Sequence, residues 1–304
     1  MIGHIQDLSI IFSSILLEAF PFILFGVFIS SVVEEFVTPD FFTKMIPKNP
    51  ILGSIVGVIM GFFVPACDCA VIPIAKRLIK KGVPVSVAVT FMLASPIINP
   101  VVLLSTFYAF GTLVPKMIFM RSVIGILIAI FVGFIIGRSK KMIDVLKDTE
   151  EEHHHEHCHH CGCSHTHNEN IKENRLRNII NHAKDEFWDI SKFLIIGAFI
   201  ASAMQVFIPR DILLSISSNN ILSIISLMIF AYLLSLCSTS DSFIAKTFVN
   251  QFSNNAILAF LLLGPMIDIK NTVVLLGNYK KDFVIKLILA IFIVVFISSI
   301  IITI

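Results

Sequence analysis

Two cysteines, Cys67 and Cys69, flank Asp68 inside an otherwise apolar stretch bounded by Pro65 and Pro73. Thiolates are soft ligands that select Cu(I), Zn(II) and comparable thiophilic species. A carboxylate at the bilayer centre costs roughly 2.5–3.5 kcal/mol on insertion scales. A proline in a helix interior removes a backbone hydrogen bond and clashes with the preceding turn. Irregular backbone at that depth is tolerated only where protein or a water-filled cavity surrounds it. The stretch therefore reads as part of a site. A third thiol, Cys237, recurs in Leu236-Cys237-Ser238-Thr239-Ser240-Asp241-Ser242, and two further breaks, Ser95-Pro96-Ile97-Ile98-Asn99-Pro100 and Gly264-Pro265-Met266-Ile267-Asp268, each end on a side chain able to cap a broken helix. A lone membrane cysteine more often packs as a small hydrophobe. Three thiols and two carboxylates at paired breaks favour ligands instead. The predicted transport site is Cys67, Asp68, Cys69, Cys237, Ser238, Ser240, Asp241, Asn99 and Asp268. Asp68, Asp241 and Asp268 are also candidate proton carriers, whereas Glu18 and Asp189 are expected nearer a membrane face.

A second cluster lies mid-chain. Eight of the ten histidines (His153, His154, His155, His157, His159, His160, His165, His167) fall there with Cys158, Cys161 and Cys163. An expression tag would lack the interleaved thiols and acids. Such a tract gathers divalent or soft metal as a flexible multi-ligand collector, and it has no single tetrahedral spacing that would make one structural zinc site. No tightly bound cofactor is expected, only transported or loop-bound copper or zinc.

The elements that must position these residues are membrane helices. The 304 residues are 56% hydrophobic and 14% charged, with mean hydropathy +0.89; a water-soluble domain carries nearer a quarter charged residues. Apolar runs of spanning length for a core about 30 Å thick are expected at 8–33, 51–75, 85–110, 116–137, 187–208, 221–245, 256–276 and 283–304. The N-terminus lacks the basic region of a signal peptide and is expected to remain as a helix. The fold expected is an all-α membrane protein of about eight transmembrane helices in two homologous halves, 1–137 and 187–304, with a polar loop at 138–186.

The halves align at an offset of about 170: Cys67 against Cys237, Ile74-Ala75-Lys76 against Ile244-Ala245-Lys246, Glu18 against Asp189, and the two proline breaks against each other. Interrupted segments at matched positions of two halves point to a transporter binding site. Four crossings per half would make the repeats parallel, and a re-entrant hairpin in each half would make them inverted; the match of Lys76 with Lys246 favours the parallel case. On eight crossings, the basic residues place both termini and the His-rich loop in the cytoplasm, on an inner cell membrane. Nucleotide-binding loops, a catalytic triad and a nucleic-acid patch are not apparent in the sequence. A non-enzymatic, ion-gradient-driven carrier is expected, whose partners are the bilayer, a metal or metalloid cargo, and a second copy or a cytosolic metal donor.

Val64-Pro65-Ala66-Cys67-Asp68-Cys69-Ala70-Val71-Ile72-Pro73, Lys80-Lys81-Gly82-Val83-Pro84 and Ala94-Ser95-Pro96-Ile97-Ile98-Asn99-Pro100, with Glu18-Ala19-Phe20-Pro21-Phe22, resemble a family of predicted permeases that includes the ArsP-type efflux permeases for trivalent organoarsenicals. Members commonly have Cys-Ser-Cys-Gly where this chain has Cys67-Asp68-Cys69-Ala70. The His/Cys loop is similar to a branch described as copper/zinc efflux transporters. The resemblance implies an eight-helix inner-membrane permease working in export. The expected cargo is Cu(I) or Zn(II), with organoarsenicals as the alternative; a metal-sensing partner protein and a dithiol oxidoreductase are readings from other classes.

Overall fold

A computed structural model describes residues 2–36, 50–64, 68–111, 115–139, 145–147, 171–207, 220–249 and 251–302. Cys67 and the whole histidine tract lie outside these residues. The described chain is helical: α1 (Ile2–Phe36), α2 (Pro50–Phe63), α3 (Asp68–Lys80), α4 (Val85–Ile98), α5 (Pro100–Phe110), α6 (Pro115–Ser139), α7 (Ile171–Phe207), α8 (Asn220–Leu234), α9 (Asp241–Thr247), α10 (Asn254–Met266), α11 (Ile269–Asn278) and α12 (Lys281–Ile301). The second six repeat the order of the first six, a long helix, a short pair around a break, a broken span and an unbroken one. This is an all-α membrane protein.

Among the described residues six stretches are long and apolar enough to cross a membrane: Ile5–Phe28, Val85–Phe110, Lys116–Arg138, Phe187–Val206, Asn254–Asn278 and Lys281–Ile301. The other two expected spans resolve into shorter apolar helices, Ile51–Phe63 and Asn220–Leu234, each followed by a break and a second short helix. A 14-residue helix is only about 21 Å long, too short for the core.

Close helix approaches give the directions. A Cβ on Gly57 would sit 2.7 Å from the Val87 carbonyl oxygen, and one on Gly61 3.1 Å from the Ser95 backbone, so α2 and α4 run parallel. Between them α3 turns back. Gly82, at φ 89°, closes it, with its N–H donating to Ile79 and the Val83 N–H to Leu78. This paired capping pattern needs a left-handed residue, which glycine adopts without a Cβ penalty. Thus α2 and α3 form a hairpin that returns to the end it started from. On α6, Gly125 meets Ile97, while Gly133 and Gly137 meet Ser86, so α6 runs antiparallel to α4. Small residues allow such approach where lipid supplies no hydrophobic drive between helices.

The second half has the opposite sense. Asp68 contacts Asn271 and Lys76 contacts Asn278, so α3 and α11 run parallel, and α10–α11 therefore runs opposite to α4–α5. The α8–α9 pair repeats the hairpin, with Gly264 of α10 facing Ala231 of α8 as Gly61 faces Ser95. The repeats are inverted, not parallel as the Lys76/Lys246 match suggested; a hairpin returning within each half reverses the sense of everything after it. Segment 145–147 anchors the far end, with Lys280 N–H donating to the Val145 carbonyl and Lys147 N–H to that of Asn278.

Candidate functional site

The two broken spans carry their predicted caps. At the first break Asn99 Oδ1 accepts from the Val101 N–H at 3.0 Å, and Pro100 begins α5, where a missing N–H costs nothing. At the second, Asp268 Oδ1 accepts from the Asn271 N–H at 2.6 Å. Asn99 is buried and acts as a cap alone among the described contacts, whereas Asp268, fully buried, also faces an ammonium.

That ammonium belongs to Lys270, 4% exposed, whose Nζ lies 3.6 Å from Asp68 Oδ2 and 3.6 Å from Asp268 Oδ2. Asn271 bridges the halves: its Nδ2 donates to Asp68 Oδ2 at 3.0 Å, and its Oδ1 accepts from Cys69 Sγ at 3.3 Å. The Lys270 N–H donates to Ser235 Oγ at 3.2 Å. Ser235 has φ 51°, a left-handed conformation that a non-glycine residue holds only when its surroundings fix it, and such strain clusters at functional sites. Asp68 and Cys69, at the N-terminus of α3, thus meet α11 of the other half. A small cavity gathers Ile15, Glu18, Ala19, Asp68, Cys69, Ser235, Cys237 and Lys270. Thr239 Oγ1 donates to Cys237 Sγ at 3.5 Å. Both described thiols, Cys69 and Cys237, are buried and outside any disulfide.

A second polar cluster lies at the other hairpin, at positions that are not repeat-equivalent to the first. Asp241, opening α9, pairs with Arg121 of α6 in the other half: Nη2 to Oδ2 at 2.8 Å and Nη1 to Oδ1 at 3.3 Å. Arg121 Nη1 also donates to Thr106 Oγ1 at 2.8 Å and Ser242 Oγ at 2.7 Å, and Nη2 reaches the Ser238 carbonyl at 3.5 Å. Arg121 is fully enclosed. Each hairpin therefore drives the acid at its turn into the opposite half, where a cation receives it.

The predicted site residues divide accordingly. Asp68, Cys69 and Cys237 share the cavity; Asp241 and the Ser238 carbonyl belong to the Arg121 cluster; Ser240 Oγ donates to Glu18 Oε1 at 3.1 Å. Asp189 is exposed beside Lys192, as expected, but its mate Glu18 lines the cavity. The Glu18 carboxylate lies where α1 passes both hairpin turns, which equal spacing in the repeats could not reveal. Lys270, Asn271, Ser235, Thr106 and Arg121 were not predicted. Lys270 and Arg121 had a readable signal, since an ionisable residue inside an apolar span marks function by default. Among the described residues no group of three or more His, Cys, Asp or Glu side chains comes together to hold a metal ion.

A family model described as "Predicted permease" matches residues 4–304. The chain is 41% identical over 293 residues to the UPF0718 protein YcgR of Bacillus subtilis, covering 96% of each chain. It is 36% identical over 278 residues to a protein of Streptococcus mutans described as a putative two-component membrane permease complex subunit, covering 91% of this chain and 88% of that one. No solved structure matches it.

Proposed function

Since the chain belongs to the predicted permease family, we propose that it carries a thiophilic cargo out of the cell through Cys69 and Cys237, with the two inverted halves rocking about the hairpin turns. The observation carrying this reading is the buried cavity where a thiol from each half, Cys69 and Cys237, lies with Asp68 and Lys270. Inverted repeats with binding near the midplane suit alternating access. Two thiols hold a soft centre strongly enough to bind it and loosely enough to release it, and Cys67, beside Asp68 in sequence, is available as a third. The charge of Lys270 is offset by Asp68 and Asp268, so the cavity accepts a cationic cargo, Cu(I) or Zn(II). A neutral trivalent organoarsenical, which exchanges its hydroxyls for thiols, is the second reading.

We infer the orientation from the inverted fold. Three candidate spans precede the central loop and three follow it, so the termini and the loop lie on opposite sides. The loop side carries Lys76, Arg77, Lys80, Lys81, Arg138, Lys280 and Lys281, against Lys116, Arg210 and Lys246 on the side of the termini. By the positive-inside rule the histidine tract is cytoplasmic and both termini are external. The loop then gathers metal at the inner mouth. The Streptococcus mutans relative's description supports a second membrane chain as partner.

Inside-out vesicles supplied externally with Cu(I) or methylarsenite test the site. Cys69→Ser and Cys237→Ser keep side-chain size but lose the soft ligand, and each should abolish accumulation while the protein stays in the membrane. Accumulation at the wild-type rate in the double variant would overturn the thiol site.

A further inference from the structure

The cavity holding the thiols has a neighbour along α1. A groove of about 770 Å³ is lined by Ser9, Ile10, Ser13, Ser14, Leu17, Glu18 and Ser240. Glu18 lines both the groove and the thiol cavity, and its hydrogen bond from Ser240 Oγ at 3.1 Å stands where the two adjoin. The groove runs from Glu18 toward the N-terminus of α1, and so toward the side of the termini. On the loop side of the thiol cavity, Ile72, Ala75 and Ile79 of α3 are buried against the bundle, and Lys76 donates to Asn278 Oδ1 at 3.0 Å.

We propose that this groove is the outer half of the transport path and that Glu18 is its inner gate. It is an oxygen-lined subsite for a cargo that has just left Cys69 and Cys237. The inference rests on the thiol reading given above. A carboxylate and the Ser13 and Ser14 hydroxyls on one side of a spanning helix are poorly matched to lipid, where polar groups need partners; Ser9 Oγ beside them donates to the Gln6 carbonyl at 2.9 Å. They suit a water-filled groove in which a thiophile regains oxygen ligands, as hydroxyl groups on trivalent arsenic or as water and carboxylate on a metal ion. Oxygen donors bind soft centres more weakly than thiols, so the order thiol, then carboxylate and hydroxyl, then bulk water descends in affinity toward the exit. The Ser240–Glu18 hydrogen bond ties the gate to the turn of the second hairpin, so movement of that turn between the halves opens or closes it.

Two measurements test this in the full-length protein in right-side-out membranes. Ser13→Cys and Ser14→Cys, treated with a membrane-impermeant thiosulfonate, should react above the parent protein from the same side as Lys116→Cys and not from the side of Lys281→Cys, and export should be lost as modification proceeds. No reaction from either side would mean lipid or a second copy covers the groove; reaction from the Lys281 side would reverse the path; either overturns the proposal. Glu18→Gln should abolish export, and wild-type export by this variant would overturn the gate. Labelling needs no cargo, so the two readings separate. External labelling with normal export in the double serine variant removes the thiol site and leaves the path, whereas thiol-dependent export without labelling removes the path.

Discussion

Replacing Arg121 with methionine tests whether the paired hairpins hold the two halves together through buried charge. Arg121 is fully enclosed, with Asp241 at 2.8 and 3.3 Å and the hydroxyls of Thr106 and Ser242 at 2.8 and 2.7 Å. Methionine matches the aliphatic stem but removes all of these contacts, and with them the bond to the Ser238 carbonyl at 3.5 Å. Asp241 then retains the Ser242 hydroxyl, at 3.0 Å, on Oδ1, and its charge is left without a counter-ion. Removing one partner of a buried pair costs about 3–5 kcal/mol, while replacing both with apolar groups of similar volume is often near neutral. Arg121→Met should thus lower the unfolding midpoint in detergent by on the order of 10 °C for a chain of this size, and Arg121→Met with Asp241→Leu should recover most of that loss. The assay is thermal unfolding of the purified single and double variants under one detergent and salt condition. If the double variant were as unstable as the single, or the single no less stable than the parent, the pair would not be the connection between halves argued here.

Gly137 packs against the Ser86 backbone, where a Cβ would sit 2.6 Å from both Cα and N. Gly137→Ala should destabilise by about 1–3 kcal/mol through overpacking, read as a lower denaturation midpoint, while Gly264→Ala, whose nearest neighbour would be at 3.8 Å, should change little. A reporter that works only outside the cell should be active when fused after Ile304 and silent when inserted between Lys147 and Ile171; the reverse pattern would overturn the orientation. Deleting Glu150 to His167 should raise the metal concentration for half-maximal export, because tethered ligands raise local concentration, while the saturated rate stays nearly intact; complete loss at saturating metal in a vesicle titration would make the loop part of the path.

Much of this molecule is decided locally and was therefore legible in its sequence. Hydropathy marks every apolar helix, because a bilayer tolerates no unsatisfied backbone. Proline followed by Asn99 or Asp268 marks the broken spans, because the proline frees backbone groups that the next polar side chain caps. The repeat is visible in the matched cysteines and prolines, and Asp68, Cys69 and Cys237 stood out as polar groups with no reason to be in lipid. Direction is a different matter. A helix of 14 residues followed by a break has the same composition whether the chain crosses or returns, and only the packing of Gly57 and Gly61 against α4 settles that it returns. The remainder follows from that turn. Inversion brings Lys270 and Asn271 to Asp68, brings Arg121 to Asp241, and sets Glu18 beside the thiols, though these partners are distant in sequence. A buried charge can be recognised from sequence by its cost, but which opposite charge offsets it depends on which helices cross, and that is fixed by tertiary packing alone.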